Sequence, residues 1–296
     1  MSMSWPRLSP AAARPVTLRP TRRLLPRLWR HRSGRAGLML GALLLAFAVV
    51  GSLWTPFEPD WPDYTAALQG PSPEHPFGTD ETGRDLLSRL MDGAHRSLGA
   101  ALMVLCGVFG IGLVYGTIAG LTGGPADTVM MRLADVMMSL PGLVLAFAVI
   151  AVMALALARS GLGLSVSDWA GYAGLALAMA TGSWARPSVI AARMAGVPGW
   201  RIVTGHILPG IALHLGGAAS LALGGMVGAI SGLSFLGLGA QPPHAEWGAM
   251  LSQARLFFAV APWLLWGPAL MIFLSVLAAN LVSNALRDVL AVEGRR

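Results

Sequence analysis

Leu98–Leu121 reads LGAALMVLCGVFGIGLVYGTIAGL, 24 residues without a charge. A helix crosses the hydrocarbon core of a bilayer with ~20 predominantly apolar residues. The stretch is long enough, and nothing in it resists burial in lipid. Working outward, Gly37–Trp54, Met137–Leu157, Val166–Trp184, Ile211–Leu236 and Trp263–Leu281 have the same character. The expected fold is therefore all-α, a polytopic membrane protein with six transmembrane helices. Val166–Trp184 is the weakest of the six, because Asp168 and many Gly and Ala residues blunt its signal. Asp168 lies near the edge of that span, where its carboxylate can reach headgroup water. Cys106, the single cysteine, falls inside the quoted stretch and is expected to be a small buried core residue. One cysteine supports no disulfide framework.

Composition agrees. Of 296 residues, 55% are apolar and 12% charged, against about a quarter charged in a typical soluble domain. The sequence pI of about 11.1 would suit a nucleic-acid partner, but the basic residues follow the membrane instead. All 21 are arginine. Arg7, Arg14, Arg19, Arg22, Arg23, Arg27, Arg30, Arg32 and Arg35 precede the first span with no acid among them. Cytoplasmic flanks collect such charge, so the N-terminus is expected inside. Six spans then place both termini in the cytoplasm, with sixteen arginines inside and five outside. The outside segment 55–96 carries Glu58, Asp60, Asp63, Glu74, Asp80, Glu81, Asp85 and Asp92. A cleaved signal peptide would also combine a basic region, an apolar core and small residues near Ala46 and Ala48. Its basic region would be far longer than usual, and cleavage would leave five spans.

The layout expected is a basic cytoplasmic tail (1–36), a first transmembrane helix (37–54), an extracytoplasmic segment (55–96), a core with five further spans (97–287) and a short cytoplasmic tail (288–296). The first tail holds prolines among its arginines and reads as disordered, held near anionic headgroups by charge. In the extracytoplasmic segment, Thr55–Pro76 is irregular. Asp80–Leu98 reads as a helix capped by Thr79 or Asp80, with Leu86, Leu87, Leu90 and Met91 at helical spacing. Arg132 and Asp135 are placed to form a surface ion pair. Gly216-Gly217-Ala218-Ala219 and Gly224-Gly225 are small enough for close helix approach, so the fifth span is expected to face other helices.

Several chemistries are not written in this chain. The phosphate-binding loop GxxxxGK[ST] needs a lysine, and the sequence has none. Energy from ATP would have to be captured by another subunit. The six histidines form no HxxxH or HExxH pattern and no cysteine pair exists, so no closed metal site or cofactor is expected. The spans are almost free of charge, which argues against an ion-coupled carrier acting alone.

Three stretches resemble one family. Phe77-Gly78-Thr79-Asp80-Glu81-Thr82-Gly83-Arg84-Asp85, followed by Ser88-Arg89-Leu90, resembles the FGTDxxGRDxxSR signature of ABC-transporter permeases for dipeptides, oligopeptides and nickel. Ser234 to Pro243 (SFLGLGAQPP), continuing into Glu246-Trp247-Gly248 and containing Gly237, Gly239 and Pro242, is similar to that family's FLGLGxQPPxxEWG segment. Ala191-Ala192-Arg193-Met194-Ala195-Gly196, then Trp200-Arg201-Ile202 and His206-Ile207-Leu208-Pro209, is similar to its cytoplasmic coupling motif. The acidic segment after the first span points to the C-type member of a permease pair.

The resemblance implies a type I ABC importer transmembrane domain. In it two different permeases form the pore, two ATPases bind beneath, and an extracytoplasmic solute-binding protein delivers cargo at a bacterial inner membrane. The coupling helix corresponds to 189–199. Ala191, Ala192 and Gly196 would allow close approach to the ATPase, with Arg193 and Arg201 at the rim and Pro209 closing the motif. Two departures stand out. Ile190 occupies a position where the family often has Glu. Trp184 is followed almost at once by the coupling motif, where members usually carry about a dozen more residues, or ~18 Å of helix. In the QPP–EWG segment, Glu246 is expected to cap the next helix. Di- or oligopeptides are the expected solutes, with nickel or a metal chelate as the alternative. An ion-coupled secondary transporter and a membrane scaffold are the readings from other classes.

Overall fold

The computed structural model describes residues 24–142, 144, 145 and 159–294. The third expected span, Met137–Leu157, lies largely outside the described residues. So do the tail arginines up to Arg23, together with Arg295 and Arg296.

Described structure is helical apart from short turns and the largely irregular stretch 54–85, which holds one 3-10 turn at Tyr64–Ala66. In chain order come α1 (Leu24–Arg30), α2 (Arg32–Leu53), α3 (Leu86–Thr122), α4 (Gly124–Ser139), α5 (Arg159–Ser183), α6 (Pro187–Met194), α7 (Gly199–Ile202), α8 (Leu208–Phe235), α9 (Trp247–Ala254) and α10 (Trp263–Gly294). Among the described residues three helices are long and apolar enough to cross a membrane: α2, α3 and Trp263–Val289 of α10. Ala222–Phe235 of α8 is a shorter apolar helix. With 37 residues, α3 extends ~55 Å, well beyond the ~30 Å of hydrocarbon. One end of it must therefore stand in a polar layer.

Small residues set the packing. Gly112, Gly116 and Gly120 line one face of α3 against Trp169, Ala173, Leu177 and Ala180 of α5, and a Cβ at any of the three glycines would strike α5. In lipid such stripes let backbones approach and gain dispersion contact. Gly37 of α2 meets Leu281 and Val282 of α10 in the same way. In α8 the expectation divides. Gly224 faces Val276 and Ala279 of α10, whereas Gly216, Gly225, Gly228 and Gly232 have open space where a side chain would go.

Several expectations need correction. Residues 24–30 and 32–36 of the basic tail are helical, because Leu28 is buried and Gly34 packs on Ala285, while His31 lies 3.5 Å from Asp288. The helix entering the second span starts at Leu86, not Asp80. Its N-cap is Asp85, whose carboxylate accepts from Ser88 N. Cys106 is exposed on α3, since it lies opposite the face that buries Val104 and Val108. Among the described residues Arg132 and Asp135 form no ion pair. Asp168 is exposed and sits nine residues into α5, ~14 Å from its first residue.

Candidate functional site: a polar lobe and a coupling segment

The stretch Gly78–Arg89 folds around two of its three acids, Asp80 and Asp85. Gly78 and Gly83 have φ of +80° and +81°, the left-handed region that glycine enters without strain. A Cβ at Gly78 would meet Trp263 and one at Gly83 would meet the carbonyl of Asp63. Thr79 bridges to Asp85, and its hydroxyl accepts from Gln69 N and donates to Ala66 O. Asp80 Oδ1 accepts from the backbone of Thr82 and Arg84 and from the Thr82 hydroxyl. Its Oδ2 accepts from Arg84 Nε at 2.7 Å and lies 3.4 Å from Arg89 Nε. Asp85 accepts from Ser88 N and Oγ at 2.7 Å, and its other oxygen lies 2.9 Å from His75 Nδ1.

Arg89 joins this stretch to a distant one. It is 1% exposed, and its Nη1 donates to Pro59 O at 2.9 Å and to Pro243 O at 3.2 Å. Asp60 Oδ1 lies 3.7 Å from it, and Asp60 Oδ2 lies 3.3 Å from His244 Nδ1. Further along, Ser97 Oγ donates to Glu246 Oε1 at 3.0 Å and accepts from Trp247 N, while Trp247 Nε1 donates to Leu90 O. Glu246 is the N-cap of α9, accepting from Gly248 N and Ala249 N. Gly93 accommodates the Trp247 ring and Gly248 the Ser231 backbone. Two stretches about 150 residues apart in sequence thus form one lobe. Asp80, Arg84, Asp85, Arg89 and Glu246 are all buried in it. Buried charges are costly unless paired and hydrogen-bonded. Asp80, Arg84 and Arg89 are ion-paired, and Asp85 lies against His75. Glu246 is held by hydrogen bonds to Ser97, Gly248 and Ala249. Arg89 Nη2 has no hydrogen-bond partner among the described residues.

Gly237 and Gly196 share a conformation, a tight turn where the sequence reading expects one at Gly237 and close approach to a partner at Gly196. Gly237 N donates to Ser234 O and Leu238 N to Leu233 O; Gly196 N donates to Arg193 O and Val197 N to Ala192 O. With φ of +84° and +74°, both are the left-handed residue that ends a helix by the Schellman pattern. Neither has an atom within 4 Å of its notional Cβ. Gly239, by contrast, is buried against Ser234. Gln241 Nε2 donates to Gly237 O, and the exposed Pro242-Pro243 bond is cis.

Residues 184–209 are built differently. Trp184, Ala185 and Arg186 alone join α5 to α6, and Pro187 occupies the first turn of α6. The helix expected over 189–199 covers Pro187–Met194 and stops at the Gly196 turn, because Pro198 and the left-handed glycine cannot continue it. Val189, Ile202 and Ile207 anchor the segment by burial. Ala191, Arg193, Gly196, Arg201 and Pro209 are exposed and Ala192 is half-buried. The Arg193 and Arg201 guanidinium groups lie 5.5 and 5.1 Å from the ring centres of Trp184 and Trp200. Ile190, Met194 and Trp200 present large apolar side chains to solvent, Met194 at 85% exposure. Sequence reading singled out the small residues here, noted Ile190 only as a departure from the family, and gave Met194 and Trp200 no role. Their apolarity within a basic loop was the available signal.

Helices long and apolar enough to cross a membrane, with a self-paired polar lobe and an exposed basic segment among the described residues, define a helical membrane protein. The chain belongs to the family of binding-protein-dependent transport system inner membrane components, matched over residues 112–292. It is 37% identical over 256 residues to the nickel transport system permease protein NikC of Escherichia coli K12, covering 86% of this chain and 92% of that one. It is 38% identical over 265 residues to the glutathione transport system permease protein GsiD of Pectobacterium atrosepticum (89% and 87% covered). To the dipeptide transport system permease protein DppC of Alkalihalophilus pseudofirmus it is 32% identical over 271 residues (92% and 89%). Such permeases are transport components rather than catalysts.

Proposed function

We propose that this chain is the C-type permease of an ATP-driven importer of di- or oligopeptides in a bacterial inner membrane. It contributes half of the pore and transmits ATPase motion to it through residues 184–209. A second permease, two ATPases and an extracytoplasmic binding protein complete the machine, and hydrolysis belongs to the ATPases. Six spans put both termini and the coupling segment in the cytoplasm and the polar lobe outside. The observation that carries this reading is the exposed coupling segment, with Ile190, Met194 and Trp200 uncovered on a chain that lacks a phosphate-loop lysine. Large apolar groups clustered on a basic surface are what a partner interface presents. The similarity to a nickel permease supports a second reading, nickel or metal-chelate import by the same architecture.

Proteoliposomes holding this chain with its partner permease and ATPases, supplied with binding protein, test both. ATP-dependent accumulation of labelled alanyl-alanine supports the first reading, and accumulation of Ni²⁺ the second. Uptake that needs an ion gradient and no ATP would contradict both.

A further inference from the structure

Between α9 and α10 the chain makes a short turn, Arg255–Pro262, reading RLFFAVAP. Leu256, Phe258 and Val260 present large apolar side chains to solvent at 64% to 74% exposure. Ala254 and Ala261, at the roots of the turn, are buried in one cluster with Leu86 of α3. The roots are fixed and the tip is uncovered. Val260 N and Ala261 N both donate to Phe257 O, and Pro262 has no N–H to satisfy. The tip can therefore leave water without stranding those donors. Arg255 is the one charged residue between Leu251 and Leu286. It is exposed, lies 5.4 Å from the Phe235 ring centre and has no carboxylate partner among the described residues.

Helix contacts fix the height of this tip. Gly51 of α2 abuts the Met91 backbone and Gly267 of α10 abuts the Leu90 side chain, so three helices meet at one level. At the other end Gly34 packs on Ala285. From Arg35 to Gly51 is ~24 Å of helix, and from Gly267 to Arg287 is ~30 Å. Both are close to the ~30 Å of hydrocarbon, so the Gly51–Gly267 level marks the edge of the hydrocarbon away from those arginines. Trp54 and Trp266 are exposed near that level, where interfacial aromatics belong. Leu86 lies one helical turn, ~6 Å, past Leu90. A tip rooted at its height stands in the headgroup layer, ~5–8 Å deep. An apolar tip in that layer, with one cation and no acid, has the chemistry of a phospholipid surface contact. We propose that Leu256, Phe258 and Val260 seat in this headgroup layer and that Arg255 meets a lipid phosphate. The turn then holds α9, and with it Glu246 and Trp247, at a fixed depth beside α10. The importer reading above enters only in naming this face of the bilayer extracytoplasmic.

The test uses the full chain with its proposed partners in phospholipid vesicles, with Cys106, which is exposed, replaced by Ser. An NBD fluorophore on Phe258→Cys, and in a second variant on Leu256→Cys, is exposed to lipids spin-labelled near the headgroup. A control fluorophore sits on Tyr64→Cys, whose neighbour Asp63 touches Gly83 ahead of α3. Both tip positions should be quenched at least about threefold more than position 64. Spin-labelled phosphatidylglycerol should quench the tip about two- to fivefold more than phosphatidylcholine, and Arg255→Gln should abolish that preference. Quenching at both tip positions no greater than at position 64 overturns the anchor. Tip quenching that disappears when the partner permease or the binding protein is added assigns the turn to that protein and overturns it too. A lipid preference unchanged in Arg255→Gln overturns the phosphate contact. A tip that is quenched, yet reached by membrane-impermeant dithionite from the side of the N-terminus, supports the anchor and overturns the proposed topology.

Discussion

The polar lobe and the coupling segment of one chain satisfy their chemistry in opposite ways. In the lobe, Arg89 is enclosed by Asp80, Asp60 and the carbonyls of Pro59 and Pro243. Every buried charge there answers another group of the same chain. In the coupling segment the arginines lie over tryptophan rings at the surface, and Met194 and Trp200 are 85% and 64% exposed. Only Val189, Ile202 and Ile207 are sunk into the helices. The lobe is therefore a finished structure that fixes the entrance of α3 against α9. The segment is rigid at its roots and unfinished at its tip. The importer proposed above, receiving cargo on one side and force on the other, needs that asymmetry.

The largest effect should come from removing the lobe's central cation. Arg89→Ala takes the cation from Asp60 and the donor from the carbonyls of Pro59 and Pro243, while Asp80 keeps Arg84. This should destabilise the detergent-solubilised protein by ~2–5 kcal/mol. The shift in its thermal or denaturant midpoint reads this. A loss confined to a few tenths of a kcal/mol would mean that the lobe is not self-contained. Glu246→Ala takes away the cap of α9 and the partner of Ser97, at a cost of ~1–2 kcal/mol. Apparent affinity for solute should not change in Glu246→Gln. A change there, with assembly intact, would move Glu246 from scaffold to solute contact.

Gly196→Val forces a branched residue into a left-handed turn, a local cost of ~1–2 kcal/mol. Hydrogen exchange should speed up over 187–197 and stay unchanged in the lobe, while ATPase binding and uptake fall. Wild-type association and uptake in this variant would separate the turn from coupling. Met194→Ser should shift stability least, within ~0.5 kcal/mol, because the side chain touches little in the isolated chain. ATPase association should nonetheless weaken about tenfold, or ~1.4 kcal/mol. Equal association would show that the exposed methionine is not covered.

The helical membrane class was legible because apolar length is a strong signal, and the importer family because two long motifs stand intact. What sequence could not resolve is instructive. The start of α3 was misplaced by six residues since Asp80 and Asp85 are both plausible caps. Gly83 inside the proposed first turns, and Asp85 three residues before Ser88, were the clues that favour the later start. The environment of Cys106 was misread because a span apolar on all sides carries no amphipathic phase. The buried face is marked instead by Gly112, Gly116 and Gly120. Gly196 was read as a point of close approach, yet a helix-ending glycine and a packing glycine look alike in sequence. The link from Arg89 to Pro243 crosses 154 positions, and no local pattern announces it.

The division between a finished polar lobe and an unfinished coupling segment is tested most directly by photo-crosslinking from its two extremes. A photoreactive amino acid at Met194, and in a second variant at Trp61, which is 75% exposed on the lobe, would be illuminated in the assembled importer. The account predicts an ATPase adduct from position 194 and a binding-protein adduct from position 61. An ATPase adduct from position 61, or none from position 194 in an importer that is actively taking up solute, would contradict it.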